Sequence, residues 1–330
     1  MKYLVIGGTG YIGSCLCEEL VASKKENDNI VVIDDFSSKN SPSIVVGTKI
    51  YRTSTLDSKK ISKIFKKHKF DFVFYLGNKN NINESIFQPT EYFANNITGL
   101  TNVINAMKDN SVKNIIYLSS ASVYGIPSKN PITEKTPTNP ITPHGHSKLA
   151  SENLLKACKD AFGINYGIIR CFNIIGASKT GKYGCKNNYS ELIPNINWSL
   201  IMNNKFKIFG NDYKTKDKTC VRDYLDVNDL VEILIKLKNK MIETNDSYIF
   251  NAGSAKPKSI LDIIKITENT LNQKLEYEFV NKRSGDVGKL YTKNDLISSV
   301  LDWKQKHSIE ESIRSDYEFR IKNKLDVNYD

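Results

Sequence analysis

The sequence predicts an α/β protein: a doubly wound parallel sheet with a smaller C-terminal substrate-binding lobe. Three observations carry that expectation. Apolar runs at 2–6, 30–34, 71–76, 114–119 and 164–170 alternate with helical patterns near 11–23, 57–68, 90–109 and 145–162. Strand–helix alternation of this kind builds a parallel sheet covered on both faces. The runs are continuously apolar rather than alternating, as strands buried on both faces must be. Glycines follow the first strand directly and open the first helix, which is how a nucleotide-binding turn is placed.

Beyond about residue 175 the pattern becomes irregular. Residues 179–189 are rich in glycine and lysine and read as a loop. A helix near 193–203, a short strand at 206–209, a helix at 226–240, a strand at 247–251 and a helix at 259–271 follow. The expected plan is a nucleotide-binding domain over 1–175, with 220–252 returning to it. A mainly substrate-binding lobe over 176–330 closes over that domain.

Gross composition excludes several classes. With 330 residues the chain can bury a large core. It has no apolar run of the roughly 18 residues that a membrane span needs, so no membrane partner is expected. Tyr3-Leu4-Val5-Ile6 reads as a strand rather than a leader. Six scattered cysteines with no CxxC pair point to a reduced, cytoplasmic protein. No His/Cys cluster has metal-ligand spacing. The net charge of +11 could suggest nucleic acid. However, only six of the 47 basic residues are arginine, and the lysines are spread along the chain. That is a solvated surface, and nucleic acid is not the expected partner.

Gly7-Gly8-Thr9-Gly10-Tyr11-Ile12-Gly13 has the form G-x-x-G-x-x-G between strand and helix. Glycine lets backbone approach a pyrophosphate, and the helix N-terminus supplies N–H donors. Gly7, Gly10, Tyr11, Ile12 and Gly13 are therefore candidate cofactor contacts. Asp34, at the end of the second strand, is placed to hold an adenosine ribose diol. Its charge would repel a 2′-phosphate, which favours NAD over NADP. This is the Rossmann arrangement, and its spacing resembles the extended short-chain dehydrogenases/reductases. G-G-x-G-Y-I-G is typical of their sugar-nucleotide epimerases. Leu76-Gly77-Asn78-Lys79 resembles the family's A-G-x-K, which implies that Lys79 reaches NAD. Residues 92–99 resemble its Y-Y-x-x-N-x-x-G segment, which carries Asn96. The family's G-D-I, whose aspartate holds the adenine amino group, aligns with Ser54-Thr55-Leu56, so that contact is missing.

Leu118-Ser119-Ser120-Ala121-Ser122-Val123-Tyr124-Gly125 resembles S-S-S-A-T-V-Y-G at the end of the next strand. The resemblance implies that Ser120 hydrogen-bonds a sugar 4-hydroxyl. Ala121-Ser122 stands where dehydratases carry an Asp-Glu pair, which disfavours dehydration. Pro143-His144-Gly145-His146-Ser147-Lys148-Leu149 has the form P-Y-G-x-S-K-L with its tyrosine replaced by His144. That tyrosine is the family's catalytic base, and Lys148 matches the lysine that binds the nicotinamide ribose and lowers the tyrosine pKa. A tyrosinate that takes a proton becomes neutral beside Lys148, whereas a neutral histidine becomes cationic, which like-charge repulsion opposes. Imidazole also has the shorter reach, which leaves room for a relaying water. Against that, histidine is a competent base near neutral pH. Two readings stand: a histidine base with altered chemistry, or an inactivated site. Tyr124 is a less favoured substitute base, and His146 is expected to face solvent.

At the other end, Asn173 resembles the asparagine of L-R-Y-F-N that holds a diphosphate. Residues 208–224 follow I-F-G-x-D-Y-x-T-x-D-G-T-x-V-R-D-Y closely, which places Arg222 on a phosphate, a role suited to a guanidinium fork. Arg283-Ser284-Gly285-Asp286 resembles R-x-G-D, with Arg283 on the diphosphate and Asp286 on the uridine ribose. Ser190-Glu191-Leu192-Ile193-Pro194 sits where the family approaches the uridine. Leu290 matches the position bordering the sugar 2-substituent, where a small residue admits N-acetyl sugars and tyrosine excludes them. Leucine is intermediate and leans toward the unacetylated sugar. The resemblance, over roughly residues 2–303, implies C4 epimerisation of UDP-hexoses through a 4-keto intermediate with tightly bound NAD, in a homodimer built on the helices at 90–109 and 145–162. Another NAD-dependent nucleotide-sugar converter, or a non-catalytic binder of NAD, nucleotide sugar or RNA, is the alternative.

Overall fold

The computed structural model describes residues 1–37, 42–186, 191–283 and 285–323. Residues 187–189 of the expected loop, together with Ser190 and Ser284, lie outside that set. Seven strands form the central sheet: β1 (Lys2–Ile6), β2 (Asn29–Asp34), β3 (Lys49–Arg52), β4 (Phe72–Tyr75), β5 (Asn114–Ser120), β6 (Asn165–Cys171) and β7 (Tyr248–Ala252). Their order is β7-β6-β5-β4-β1-β2-β3. Strands β1 to β6 pair in parallel. The order reverses between β1 and β4, which places ligand-binding loops at the carboxyl ends of those strands.

By contact the chain separates into two compact units. The first comprises Met1–Ile126, Glu134–Cys171 and Val231–Asn251; the second comprises Pro127–Thr133, Phe172–Leu230 and Ala252–Asp330. In the first, every residue of β4 is buried, which explains its unbroken apolar run. Leu4, Ile33, Val73, Tyr75 and Ile115 of the sheet form one core with Phe65, Leu100, Val103 and Leu155 of the covering helices. In the second, the strands Phe206–Phe209 and Tyr277–Val280 pair in parallel. Ile193, Ile208, Ile263 and Ile313 pack together there. The helices Ile260–Leu271 and Ile309–Lys322 both begin with capping boxes, Ser259/Asp262 and Ser308/Glu311.

The structure corrects several expectations. The helix expected over 90–109 is three pieces: Pro89–Phe93, a π-helical turn Ala94–Thr98, and Gly99–Asp109. The wide turn carries Asn95 and Asn96, whose side-chain oxygens both accept from the Lys79 backbone N–H. π-turns of this kind concentrate at functional sites. A short helix, Ile82–Phe87, precedes it. The helix expected from 145 starts at Pro143, because Thr142 caps it by accepting from Gly145 N–H and proline suits the first turn. Edge strand β3 has charged ends and only half-buried centres, so it carries no apolar run to read.

Candidate active site

The glycine turn is shaped by close backbone contacts. Gly7 has φ +77°, and a Cβ there would lie 2.6 Å from the Gly77 backbone. A Cβ on Gly13 would lie 2.0 Å from the Gly7 carbonyl oxygen. Gly10 differs, since the nearest atom to its Cβ would be 3.4 Å away. Among the described residues, nothing requires glycine at Gly10. It is also the N-cap of the helix Tyr11–Ala22, without a capping side chain or an acidic residue in the first turn. Tyr11, Ile12 and Gly13 open that helix. This uncapped turn, with a spare Cβ volume at Gly10, fits a pyrophosphate. Asp34 ends β2 and accepts from the backbone N–H groups of Thr9 and Phe36, each at 3.0 Å. Its carboxylate therefore sits against the turn and retains lone pairs for ribose hydroxyls.

Asn96 is fully buried. Its side-chain amide donates to the Lys79 carbonyl at 3.1 Å and to Ser147 Oγ at 3.0 Å, clamping the β4 loop to the helix Pro143–Phe162. The Lys79 ammonium turns onto Glu91, with Glu84 at 3.8 Å. Where the adenine-binding aspartate is missing, Asn102 Nδ2 holds the Thr55 carbonyl at 2.9 Å.

The catalytic strip combines the end of β5 with the first turns of the helix Pro143–Phe162. His144 and Lys148 are four residues apart, hence on one helix face, and both are buried, at 3% and 4% exposure. Lys148 Nζ donates to the Leu118 carbonyl at 2.7 Å and lies 5.0 Å from the Tyr117 ring centre. Burial lowers its pKa to about 7, partly opposed by Cys171 and Glu152. His144 is lowered to about 3, by burial first and then by Lys148, so the resting imidazole is neutral. Ser122 Oγ lies 3.1 Å from His144 Nδ1 and donates to Ser120 Oγ at 2.9 Å. The Ser122 backbone N–H also donates to Ser120 Oγ. His144 Nε2 is enclosed and has no hydrogen-bond partner among the described residues. His146 is exposed.

Sequence reading missed the network beneath this strip. Ser119 Oγ donates to Glu152 at 2.6 Å, and Arg170 grips both oxygens of Glu152, at 3.0 and 2.7 Å. Arg170 also donates to the Tyr124 hydroxyl at 2.8 Å, and Tyr124 donates to Asn251 at 2.7 Å. With its hydroxyl engaged on both sides and its pKa raised by burial, Tyr124 is removed as a substitute base. A lone arginine in an arginine-poor chain, ending a buried strand, was the available signal.

In the second unit, Val221–Arg222 pairs with Lys289–Leu290, with Leu290 opposite Arg222. Arg222 donates to the Val221 carbonyl at 3.0 Å. Arg283 lies with its guanidinium 3.6 Å from the Phe209 ring centre, and Asp286 is exposed on the following turn. Asn173 pairs with Tyr224 in a parallel bridge. Asp223, which sequence reading left unassigned, is buried and accepts from Ser254, Ala255 and Thr292. It therefore pins the strand that carries Arg222.

The profile of the NAD dependent epimerase/dehydratase family matches residues 3–253. The chain is 40% identical over 309 residues to the UDP-glucose 4-epimerase of Lactobacillus helveticus, covering 93% of each chain. It is 34% identical over 319 residues to that of Streptococcus mutans, covering 96% of this chain and 95% of that one. Among solved structures, the UDP-glucose 4-epimerase of Bifidobacterium longum in complex with NAD+ and UDP superposes with a TM-score of 0.91 at 28% identity, covering 98% and 99% of the two chains. Together with the seven-stranded sheet and its glycine turn, these matches lead to one conclusion: the chain belongs to the NAD dependent epimerase/dehydratase family.

Proposed function

We propose that this chain interconverts UDP-hexoses by epimerisation at C4, through a 4-keto intermediate, with tightly bound NAD. The observation that carries the reading is the linked set Ser120–Ser122–His144 beside Lys148 at the carboxyl end of β5. It supports reading His144, Ser120 and Lys148 in the roles of the family's tyrosine, serine and lysine. Bound NAD supplies a reversible hydride acceptor at C4. Gly10 and the uncapped helix would take its pyrophosphate and Asp34 its ribose, while Lys148, anchored by Leu118, would set the nicotinamide ribose. Ser120 orients the 4-hydroxyl, and His144 holds its proton until the hydride returns to the opposite face. Arg222, Arg283 and Asn173 would bind the diphosphate and Asp286 the uridine ribose. Leu290, beside Arg222 in the strand pairing, supports an unacetylated sugar.

One observation favours the competing, non-catalytic reading: burial makes the imidazole a weak base. The experiment that separates them incubates purified protein with UDP-glucose and follows UDP-galactose, with nucleotide released on denaturation measured in parallel. Epimerase activity and co-purified NAD are expected. Folded, nucleotide-free protein indifferent to added NAD would remove the cofactor assignment.

A homodimer in the cytoplasm completes the reading. Phe87 is 84% exposed on the helix Ile82–Phe87, and Phe93 and Phe162 are also exposed. Phe93 and Phe162 lie within the segments expected at the interface, with Phe87 on the helix just before them, and they support a second copy as partner. Six scattered cysteines without a CxxC pair support a reducing compartment.

A further inference from the structure

If His144 is the base, its proton needs a path. The imidazole is almost wholly enclosed, and its Nε2 is sealed from solvent with no partner among the described residues. Ser120 is half-exposed and can meet a substrate hydroxyl. Between them stands Ser122, whose Oγ is within hydrogen-bond distance of both Ser120 Oγ, at 2.9 Å, and His144 Nδ1, at 3.1 Å. The reach lost when an imidazole replaces a phenol is thus spanned by two serine hydroxyls rather than by water.

We propose that Ser122 is a relay residue that carries the proton between Ser120 and Nδ1 of His144. The proposal rests on the reading of His144 as the base. In the oxidative half-reaction the O–H bond of the 4-hydroxyl breaks and its proton passes to Ser120 Oγ. The proton of Ser120 passes to Ser122, and that of Ser122 to Nδ1. The electron pair of the O–H bond forms the 4-keto C=O bond, and the C4–H pair leaves as hydride to the nicotinamide. Each serine ends with one hydrogen, as it began, and the imidazole gains one. Returning the proton runs the chain backward. The orientation in the structure, with Ser122 donating to Ser120, is that of the return direction. Rotation of both hydroxyls about their Cβ–Oγ bonds reverses it, and Nδ1 accepts the proton in the tautomer that carries the neutral ring's one hydrogen on Nε2. The relay also places the new positive charge on a ring that Lys148 opposes, so the proton is held loosely and is readily returned.

A purely structural role for the Ser122 hydroxyl is poorly supported. The turn Ala121–Tyr124 is capped by Ser120, which accepts from the Ser122 backbone N–H, and Ser122→Ala preserves that bond. The variant is therefore expected to fold.

The test compares Ser122→Ala and Ser122→Thr in the wild-type and His144→Tyr backgrounds. In the wild type, Ser122→Ala should lower kcat by about 10-fold or more, toward the range of lost acid–base catalysis, with KM for UDP-glucose little changed. Ser122→Thr, which restores a hydroxyl, should recover most of that rate. In His144→Tyr the longer side chain makes the relay unnecessary, so Ser122→Ala should have little effect. Nitrogen resonances of 15N-histidine protein give an independent readout without substrate. Ser122→Ala should shift His144 Nδ1 and leave His68 and His307 in place. Equal losses in both backgrounds, or an unmoved Nδ1 resonance, would overturn the relay. A wild type that turns over and is indifferent to Ser122→Ala overturns the relay alone; a wild type without turnover overturns relay and base together.

Discussion

Arg170 and Lys148 are both buried cations of the first unit, each 4% exposed, yet their surroundings differ in kind. Arg170 grips both oxygens of fully buried Glu152 and donates to Tyr124. Its charge is compensated where it stands, and Glu152 and Tyr124 push its pKa up against the burial penalty. Lys148 has a carbonyl, an aromatic face and a neutral imidazole one turn away. Burial wins there, and its pKa falls to about 7. Closed pairing yields a scaffold whose protons stay fixed, while incomplete pairing leaves groups whose protons move near neutral pH. Strongly perturbed groups at a strand end are where chemistry is expected. The Glu152–Arg170 pair holds the floor on which Ser119, and hence the Ser120 strip, is mounted.

Breaking the closed pair should have the largest effect. Glu152→Ala leaves Arg170 as an uncompensated buried charge, which costs about 3–5 kcal/mol of stability. Urea denaturation measures this directly, and a loss under about 1 kcal/mol would mean the pair behaves like a surface ion pair and the contrast fails. A third cation extends the comparison to the second unit. Arg222 is half-buried and spends one N–H on its neighbour's carbonyl, which suits it to a charged ligand. Arg222→Ala should weaken UDP by on the order of 1.5–3 kcal/mol in calorimetry, and unchanged affinity would take Arg222 out of the site.

A pH-dependent effect concerns the open cation and has a definite sign. Lys148 titrates at 10.5 when unfolded and at about 7 when folded. Between those values the unfolded chain binds the extra proton, so stability falls as pH is lowered from 10.5 toward 7. Below the folded value both states are protonated and the difference levels off. Lys148→Met lacks this dependence. The stability gap between it and the wild type, followed by denaturant titration across that range, should widen as pH falls, and a constant gap would show Lys148 to be solvated.

The parts of the molecule legible in sequence are those fixed by local rules. The glycine turn is forced by steric contact at Gly7 and Gly13, and β4 has to be apolar because all of it is buried. The regions that were not legible depend on distant partners. The π-helical turn at Asn96 exists because that side chain reaches both Lys79 and Ser147, which no window of sequence reveals. The Ser119–Glu152–Arg170–Tyr124–Asn251 network joins residues up to 132 positions apart (251 minus 119). The helix Ile309–Lys322 was not read, although its Ser308/Glu311 capping box was the available signal. It lay beyond the residues on which the family resemblance rested. Ser122 was legible as an identity but not as a contact, since its two partners meet only when the helix Pro143–Phe162 is packed against β5.

The central claim is that His144 supplies the base in this site, and steady-state conversion of UDP-glucose to UDP-galactose tests it most directly. The wild type should turn over. His144→Ala should lose about 100-fold or more while still holding NAD. His144→Tyr should retain or raise the rate, because Ser120 and Lys148 remain in place to serve a phenol. A His144→Ala protein as active as the wild type would contradict the account, and so would a folded, NAD-loaded wild type with no turnover.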